Sequence, residues 1–210
     1  EKIILREITG KYPNSLIATY SDETYLFNIS NIGILPRSRD YSLKYTLCIL
    51  NSSIISYYFK LATPKSVRQM FPKVILKDLR KFPIKKATPE EQKPFIVLAE
   101  MMLTLNKELS EKSERFIKRI NSSFEIEKLS KKLQSFYDYD FKTFVAELKK
   151  KKITLSLMQQ DEWEEYFDSY TKEINQLQTQ IQTTDNQIDK MVYKLYDLTD
   201  AEIQLIEEST

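Results

Sequence analysis

An apolar side chain recurs at alternating steps of four and three residues through the last third of the chain. The stripe runs through Trp163, Phe167, Tyr170, Ile174, Leu177, Ile181, Thr184, Ile188, Met191 and Leu195, and only Thr184 interrupts its apolar character. Because these steps keep all members on one helical face, the spacing predicts a single α-helix of more than thirty residues. Such a helix needs a second apolar surface that covers its stripe.

A second stripe with the same period follows a helix-start signal in the middle of the chain. In "ATPEEQ", Thr88 can cap the helix, Pro89 suits its first position and Glu91 completes a capping box. The apolar positions of this helix are Phe95, Leu98, Met102, Leu105 and Leu109. Two stripes of matching period within one chain favour an antiparallel intramolecular pair and therefore a monomer. The pattern leaves open a dimer formed through the same helices.

The first third of the chain alternates apolar and polar residues as strands do. Three strands are predicted, at "KIILRE" (2–7), "LIATYS" (16–21) and "TYLFNIS" (24–30), with turn residues between them. The third is expected to continue into "NIGILPRSRD" (31–40), with a candidate bulge at Gly33, until Pro36 ends the pairing. From Ser42 the spacing changes to three and four residues and predicts an amphipathic helix that reaches Leu61 and stops at Pro64. "KVILKD" (73–78) then predicts a further short strand.

These segments together predict an α+β fold. A mixed α/β module at residues 1–86 precedes a long antiparallel, coiled-coil-like helical hairpin with a helical insertion at residues 87–210. The helical part divides into a long helix 89–112, a helical insertion 113–160, a long heptad helix 161–196 and a closing helix 200–208. Asp138 or Asp140 is expected to cap a helix of the insertion, and "TDAE" (199–202) predicts a second capping box.

Positive charge is concentrated in the middle of the chain. Residues 60–86 hold nine Lys or Arg and one acid, Asp78, although the whole chain has a net charge of only +2. Within "KSVRQMFPKVILKDLRKFPIKK" (65–86) the cations alternate with apolar residues that allow the segment to fold. A folded segment with this charge imbalance is typical of a surface that binds a polyanion.

Several side chains in and near this basic segment suit contacts with a nucleic acid. Such contacts need cations that neutralise phosphates and polar groups that reach base edges. We predict groove or phosphate contacts from Arg37, Arg39, Lys65, Ser66, Arg68 and Gln69. Further candidates for phosphate contacts are Lys73, Lys77, Arg80 and Lys81. The residue types therefore favour DNA or RNA as the partner.

Residue types that perform catalysis or bind metals are scarce. The chain has no His and a single Cys, Cys48, and it lacks the glycine motifs of nucleotide-binding loops. Triplets of the form D/E-x-K occur at 91–93, 140–142 and 147–149, but chance produces them in a chain with 30% charged residues. The "KKKK" run at 149–152 is predicted to be a solvated helix end. We predict no catalytic residue and no metal site.

Three features bear on where the protein works. No apolar run is long enough to span a membrane, so no membrane partner is expected. The lone Cys48 lies in an apolar run and fits a reducing, cytoplasmic location. The chain opens at Glu1 directly with a predicted strand and has no initiator Met, which we expect of a piece of a longer polypeptide.

Several blocks resemble the C-terminal target-recognition region of bacterial N6-adenine DNA methyltransferases. The blocks "YSLKYTLCILNSSIISYYFK" (41–60), "FPKVILKDLRKFPI" (71–84) and "TPEEQKPFIVLAEMML" (88–103) are similar to the TaqI-like specificity domain of type II and fused restriction–modification enzymes. The ending "DNQIDKMVYKLYDLTDAEIQLIEES" (185–209) resembles the helix that closes those proteins, where "LYGLT" is usual. Asp197 replaces that Gly, and we expect it to lengthen or stiffen the helix end.

The resemblance implies a recognition role without catalysis. The family's active-site motif, Asn-Pro-Pro-Tyr or Asp-Pro-Pro-Tyr, and its glycine-containing S-adenosylmethionine loop do not occur in this sequence. The resemblance therefore implies a methyltransferase domain upstream of Glu1 that binds S-adenosylmethionine and flips the target adenine. The present chain would bind double-stranded DNA and select the sequence, with no cofactor of its own. An endonuclease domain fused to the parent protein stays open.

Three other functions stay open. A specificity subunit of a type I restriction–modification system also joins a recognition module to long helices, and it normally carries two such modules. A helical assembly or scaffold protein would use the heptad stripes for association. A magnesium-dependent nuclease would need the carboxylates of the D/E-x-K triplets, and it is the least favoured because those triplets lie on predicted helix surface.

Overall fold

The computed structural model describes residues 1–24, 26, 29–38, 40–62 and 72–209, and it confirms the predicted α+β class. The strands are β1 (Lys2–Arg6), β2 (Ala18–Ser21) and β3 (Asn31–Ile34). The first helices are α1 (Leu43–Asn51), α2 (Ser53–Ala62) and α3 (Leu76–Leu79). They are followed by α4 (Pro89–Phe124), α5 (Lys131–Gln134), a 3₁₀ turn (Phe136–Asp138), α6 (Phe141–Lys150), α7 (Leu157–Leu195) and α8 (Asp200–Glu207).

β1 is the central strand of a three-stranded antiparallel sheet with the order β2-β1-β3. Ile3 and Leu5 are fully buried in the core, and α1 packs against the sheet. Because side chains alternate along a strand, Ile4 and Arg6 lie on the opposite face. The alternation in "KIILRE" therefore gives one covered and one open face of the sheet.

The third strand forms in the later part of the predicted pairing, at Asn31–Ile34, and it ends before Pro36 as expected. Residues 29 and 30 form a turn, and the amide of Glu7 donates to the carbonyl of Ser30 (2.8 Å). Pairing with β1 therefore begins only at Asn31, opposite Arg6. Part of the predicted strand, namely Tyr25, Phe27 and Asn28, lies outside the described residues.

Two helices occupy the segment that the spacing predicts as one helix from Ser42 to Leu61. Ser52 separates them, because its backbone is extended (φ −70°, ψ 155°) and its hydroxyl donates to the carbonyl of Ile49 (2.7 Å). A local bond of this kind competes with continuation of the helix. The next helix starts at Ser53, and the predicted stop at Pro64 lies outside the described residues.

The prediction of a strand at residues 73–78 is wrong beyond its first residues. Lys73 forms an isolated antiparallel bridge with Ile8. The chain then turns, because the amides of Asp78 and Leu79 both donate to the carbonyl of Ile75 (3.0 Å each) and start α3. Val74 and Ile75 are β-branched and favour an extended backbone, but two such residues are too few to extend the strand to residue 78.

The chain forms two compact units, and α4 and α7 contribute residues to both of them. The first unit comprises residues 1–103 and 184–210, and the second comprises residues 104–183. Fully buried side chains of the first core include Ile3, Leu5, Tyr45, Ile49, Ile55 and Val192. The second core includes Phe116, Ile120, Leu133, Phe136, Leu148 and Ile174. The predicted boundary between residues 86 and 87 concerns modules of the sequence, and it stays a prediction. The contacts within the structure group residues 1–103 with residues 184–210 instead.

Within the second unit α4 and α7 run antiparallel. Lys112 of α4 pairs with Glu173, whereas Phe124, further along α4, packs on Trp163 near the start of α7 (ring centroids 4.8 Å apart). α4 extends beyond the predicted end at residue 112 because Phe116 and Ile120 continue its apolar face into the core. α7 also begins earlier, at Leu157 instead of residue 161.

Most helix ends follow their local sequence signals. Both predicted capping boxes form, at Thr88–Glu91 and Thr199–Glu202. Asp140, and not Asp138, caps α6 by accepting a hydrogen bond from the amide of Thr143 (2.8 Å). These caps involve residues at most three positions apart, which is why the sequence alone predicts them.

The end of α7 departs from the expectation for Asp197. The helix stops at Leu195, and Asp197 adopts a left-handed backbone conformation (φ 56°). The amide of Leu198 donates to the carbonyl of Tyr193 (3.1 Å), which is the bond of a Schellman-type helix end. Asp197 therefore occupies a position that favours Gly, and it does not lengthen the helix.

Candidate nucleic-acid interface

A concave surface of about 980 Å³ lies in the first unit, between the edge strand β3 and the turn of α3. We call it the β3–α3 groove. Its wall from the strand is the run Ile32–Arg37, and its other lining residues are Thr46, Leu50, Leu76, Leu79, Arg80, Phe82 and Ile84. Phe82 is buried and packs on Tyr58 and Phe59, so the wall that carries α3 is fixed to the core. The groove is therefore apolar at its base.

Two of the predicted contact residues, Arg37 and Arg80, line this groove together. Arg37 follows β3 directly after Pro36, and Arg80 closes α3, where its amide donates to the carbonyl of Leu76 (3.1 Å). Both arginines are exposed, and among the residues that the structure describes neither is paired with a carboxylate. The described lining also contains no acidic side chain, so Arg37 and Arg80 give it a formal charge of +2.

Lys77 and Lys81 are exposed to solvent, and each is next in sequence to a residue that lines the groove. The amide of Lys81 donates to the carbonyl of Asp78 (2.9 Å), which fixes the backbone beside Arg80. Asp78 itself is half-buried in α3. These two lysines can therefore add charge at the rim of the groove.

Lys73 has a different environment from the other described candidates. Its ammonium group lies 3.2 Å from the carboxylate of Glu7, and its side chain is only 48% exposed. The isolated bridge to Ile8 holds both partners in place. An intramolecular ion pair lowers the charge that Lys73 can offer to a phosphate, so it is the weakest of the described candidates.

The remaining candidates lie outside the described residues. They are Arg39, Lys65, Ser66, Arg68 and Gln69. Their contacts with a nucleic acid stay predictions that rest on residue type and on the charge of the segment.

Two further cations, Lys86 and Arg6, are exposed but do not line the groove. Lys86 lies between Lys85 and the buried Ala87, just before α4. Arg6 lies on the open face of the sheet, opposite the side that buries Ile3 and Leu5. The strand alternation carries the signal for Arg6, because every second residue of "KIILRE" must face away from the core.

The three carboxylates of the D/E-x-K triplets have structural partners. Hydrogen bonds from Thr88, Thr143 and Lys150 hold the pKa values of Glu91, Asp140 and Glu147, respectively, below their usual range. Within the described ranges, no group of three or more His, Cys, Asp or Glu side chains is arranged to hold a metal ion. Each of these carboxylates therefore stabilises the start of a helix: Glu91 at α4, Asp140 at α6 and, through Ser130, Glu147 at α5.

Cys48 lies beside Asp185 at a small cavity of about 50 Å³ in the first unit. Burial raises the pKa of the Cys48 thiol to about 12, and it raises the pKa of Asp185 to about 6. A thiol with so high a pKa stays protonated and is a poor nucleophile at neutral pH. The other lining residues of the cavity include Leu47, Ala99 and Ile188, which belong to the core of the first unit.

Comparison with known proteins gives two matches that together cover most of the chain. Residues 1–84 match the family model of the TaqI-like C-terminal specificity domain. Residues 88–192, half of the chain, match a domain of unknown function, DUF8810. No curated protein and no solved structure matches the chain. The described lining of the β3–α3 groove falls entirely within the first matched range. No described helix is long and apolar enough to cross a membrane.

Proposed function

We propose a DNA-recognition function on the premise that the chain belongs to the DUF8810 family through residues 88–192 and carries a TaqI-like C-terminal specificity domain in residues 1–84. The specificity domain supports a role in DNA recognition within a protein related to restriction–modification systems. Our finer proposal is that this chain recognises a specific duplex sequence on behalf of an adenine-N6 methyltransferase. The β3–α3 groove is the surface that we assign to this contact.

The observation that carries the proposal is that Arg37 and Arg80 line the same groove and that the described lining of this groove contains no carboxylate. The two arginines are 43 positions apart in the sequence, and the fold brings them to the same concave surface. A guanidinium group can bond a phosphate or the O6 and N7 edge of guanine with two parallel hydrogen bonds. Lys77 and Lys81 would then contact the backbone as point charges.

Recognition and chemistry would be divided between two parts of one polypeptide. In this proposal the upstream methyltransferase domain binds S-adenosylmethionine and takes the target adenine out of the duplex. The present chain supplies the residues that hold the duplex in register, and it has no catalytic role alone. Phosphate contacts fix that register, whereas base-edge contacts select the sequence.

The proposal is tested by measuring duplex binding of the R37A/R80A variant by fluorescence anisotropy over a range of salt concentrations. We expect weaker binding and a log–log salt slope that is smaller by about 0.9 for each phosphate that the variant no longer neutralises. Selection from a random duplex pool should also yield a relaxed consensus sequence. The matched control is K190A/K194A, which removes two exposed lysines from α7 of the same unit. If R37A/R80A binds and selects duplex as the control does, the groove is not the recognition site.

A further inference from the structure

Charge is strongly separated along the second unit. Residues 128–152 contain eight lysines and three acids, whereas residues 161–168 contain five acids and no basic residue. The unit as a whole, residues 104–183, carries fourteen basic and fourteen acidic side chains, so its net charge of zero conceals this separation. A local positive excess inside a neutral unit indicates a surface with its own binding preference.

A buried carboxylate brings two separate runs of lysines together. Glu147 of α6 is buried, and its carboxylate accepts hydrogen bonds from the hydroxyl of Ser130 and from the ammonium group of Lys150 (2.6 Å each). Ser130 is also the N-cap of α5, where it accepts a bond from the amide of Leu133 (3.3 Å). The residues around Ser130 therefore lie beside the end of α6. We define the lysine patch as Lys128, Lys131, Lys132, Lys149, Lys150, Lys151 and Lys152.

All seven lysines of the patch are exposed. Of these seven lysines, Lys150 alone is paired with a carboxylate of the described residues, that of Glu147. Lys132 lies over the ring of Tyr139, with its nitrogen 5.1 Å from the ring centroid. Two of the three acids within residues 128–152 have local partners: Asp140 caps α6, and Glu147 binds Ser130 and Lys150.

The backbone beneath the patch is fixed by the second core. Leu129, Leu133 and Leu148 are buried between the lysines, and the aromatic cluster around Phe136 and Phe144 lies below them. The lysine side chains therefore extend from a folded backbone and not from a tail. Interaction with the helix dipole accounts for lysines in the last turn of α6, but it does not account for Lys128, which precedes α5.

From this geometry we propose that the lysine patch binds the phosphate backbone of duplex DNA, as a second contact that is separate from the β3–α3 groove. A lysine ammonium group is a compact charge and lacks the planar guanidinium with which arginine recognises base edges. We therefore expect this contact to increase affinity for DNA without adding sequence preference. Duplex DNA is favoured over other polyanions because the same chain carries a TaqI-like specificity domain. The choice of partner thus rests on the proposed function, whereas the patch itself rests on the geometry of the second unit.

The experiment compares duplex binding by the full chain with binding by the K131Q/K149Q/K151Q variant. These three lysines are exposed and unpaired among the described residues, so the fold is expected to be retained, which circular dichroism checks. The matched control is K107Q/K118Q/K172Q, which removes three exposed lysines from α4 and α7 of the same unit. Anisotropy with a labelled duplex of random sequence is measured over a salt series.

The patch variant is expected to bind severalfold more weakly than the control, with a log–log salt slope smaller by about 0.9 for each phosphate that it no longer neutralises. Its consensus from a random duplex pool should be unchanged. If the patch variant binds as the control does while R37A/R80A is weakened, this proposal is overturned and the recognition function stands. If only the patch variant is weakened, the patch stands and the groove assignment fails. Binding of the wild-type chain to vesicles that contain phosphatidylserine, without binding to duplex, also overturns the proposal.

Discussion

The carboxylate of Asp189 on α7 accepts hydrogen bonds from the backbone amide (3.0 Å) and the hydroxyl (2.5 Å) of Ser53, the first residue of α2. The two residues are 136 positions apart. Burial raises the pKa of Asp189, and the two bonds from Ser53 oppose that shift by stabilising the carboxylate. The contact connects the N-terminal end of α2 to the last part of α7, so residues 1–103 and 184–210 both contribute to the first unit.

Replacing Asp189 with Ala should lower the free energy of unfolding by about 1–3 kcal/mol, because it leaves the amide and the hydroxyl of Ser53 without their acceptor. Urea unfolding followed by circular dichroism measures the change. Asp189→Asn keeps one acceptor oxygen and should cost less. Equal stability of the Ala variant and the wild type would show that water replaces the carboxylate at no cost in stability.

Phe116→Ala should destabilise the second unit alone. Phe116 is fully buried, it stacks on Phe136 (ring centroids 3.8 Å apart) and it contacts Phe167. Removal of a buried Phe ring typically costs about 3–5 kcal/mol. Hydrogen exchange should show faster exchange of α6 amides and unchanged exchange in β1, because β1 belongs to the other core.

The control for this prediction is Met158→Ala, which removes a side chain that is 71% exposed at the start of α7. It should leave exchange unchanged in both units. Faster exchange of β1 amides in Phe116→Ala would contradict the separation of the two cores and would indicate one cooperative fold.

Sequence patterns predicted the features that depend on near neighbours. The capping boxes at Thr88–Glu91 and Thr199–Glu202 need only residues three positions apart, and the long helices need only their apolar period. The break at Ser52 could not be predicted from that period, because it depends on a local hydroxyl bond and on the distant Asp189. Tertiary contacts of this kind override a continuous helical pattern.

The residues of the candidate site could also be predicted only in part, because their grouping depends on tertiary contacts. The composition of residues 60–86 indicated a basic surface, but it could not indicate which cations share a groove. Arg37 and Arg80 meet at the β3–α3 groove because the strand and the turn of α3 pack on one core. Lys73 could not be distinguished from them in the sequence, since its partner Glu7 lies 66 positions away.

Asp185→Asn should change how stability depends on pH. Burial, followed by repulsion from Asp189, raises the pKa of Asp185 to about 6 from an ordinary value of 3.8. The folded state therefore binds the proton more tightly than the unfolded state, and this residue makes the wild type more stable as pH falls from about 6 towards 4. The Asn variant lacks this contribution, so it should gain stability relative to the wild type as pH rises from about 4 to about 6, and the difference should level off above pH 6.

The measurement for Asp185 is the difference in unfolding free energy between variant and wild type at pH 4.5, 6 and 8, since carboxylates that do not interact with Asp185 contribute equally to both proteins. A control at an exposed acid, Glu208→Gln, should give a difference that is flat over the same range. A flat difference for Asp185→Asn would mean that this carboxylate is hydrated in the folded state.

Asp197→Gly should make the chain more stable than Asp197→Ala by about 1 kcal/mol, because both variants lack the carboxylate but only Gly adopts a positive φ without steric cost. Relative to the wild type, the Gly variant also loses the ion pair with Lys85, in which the Asp197 side chain is 83% exposed, so that ion pair is worth at most about 1 kcal/mol. Lys85→Ala measures the ion pair separately, and thermal unfolding at low and high salt compares all three variants. If the Gly and Ala variants unfold at the same temperature, the end of α7 must relax to a conformation that any residue accepts.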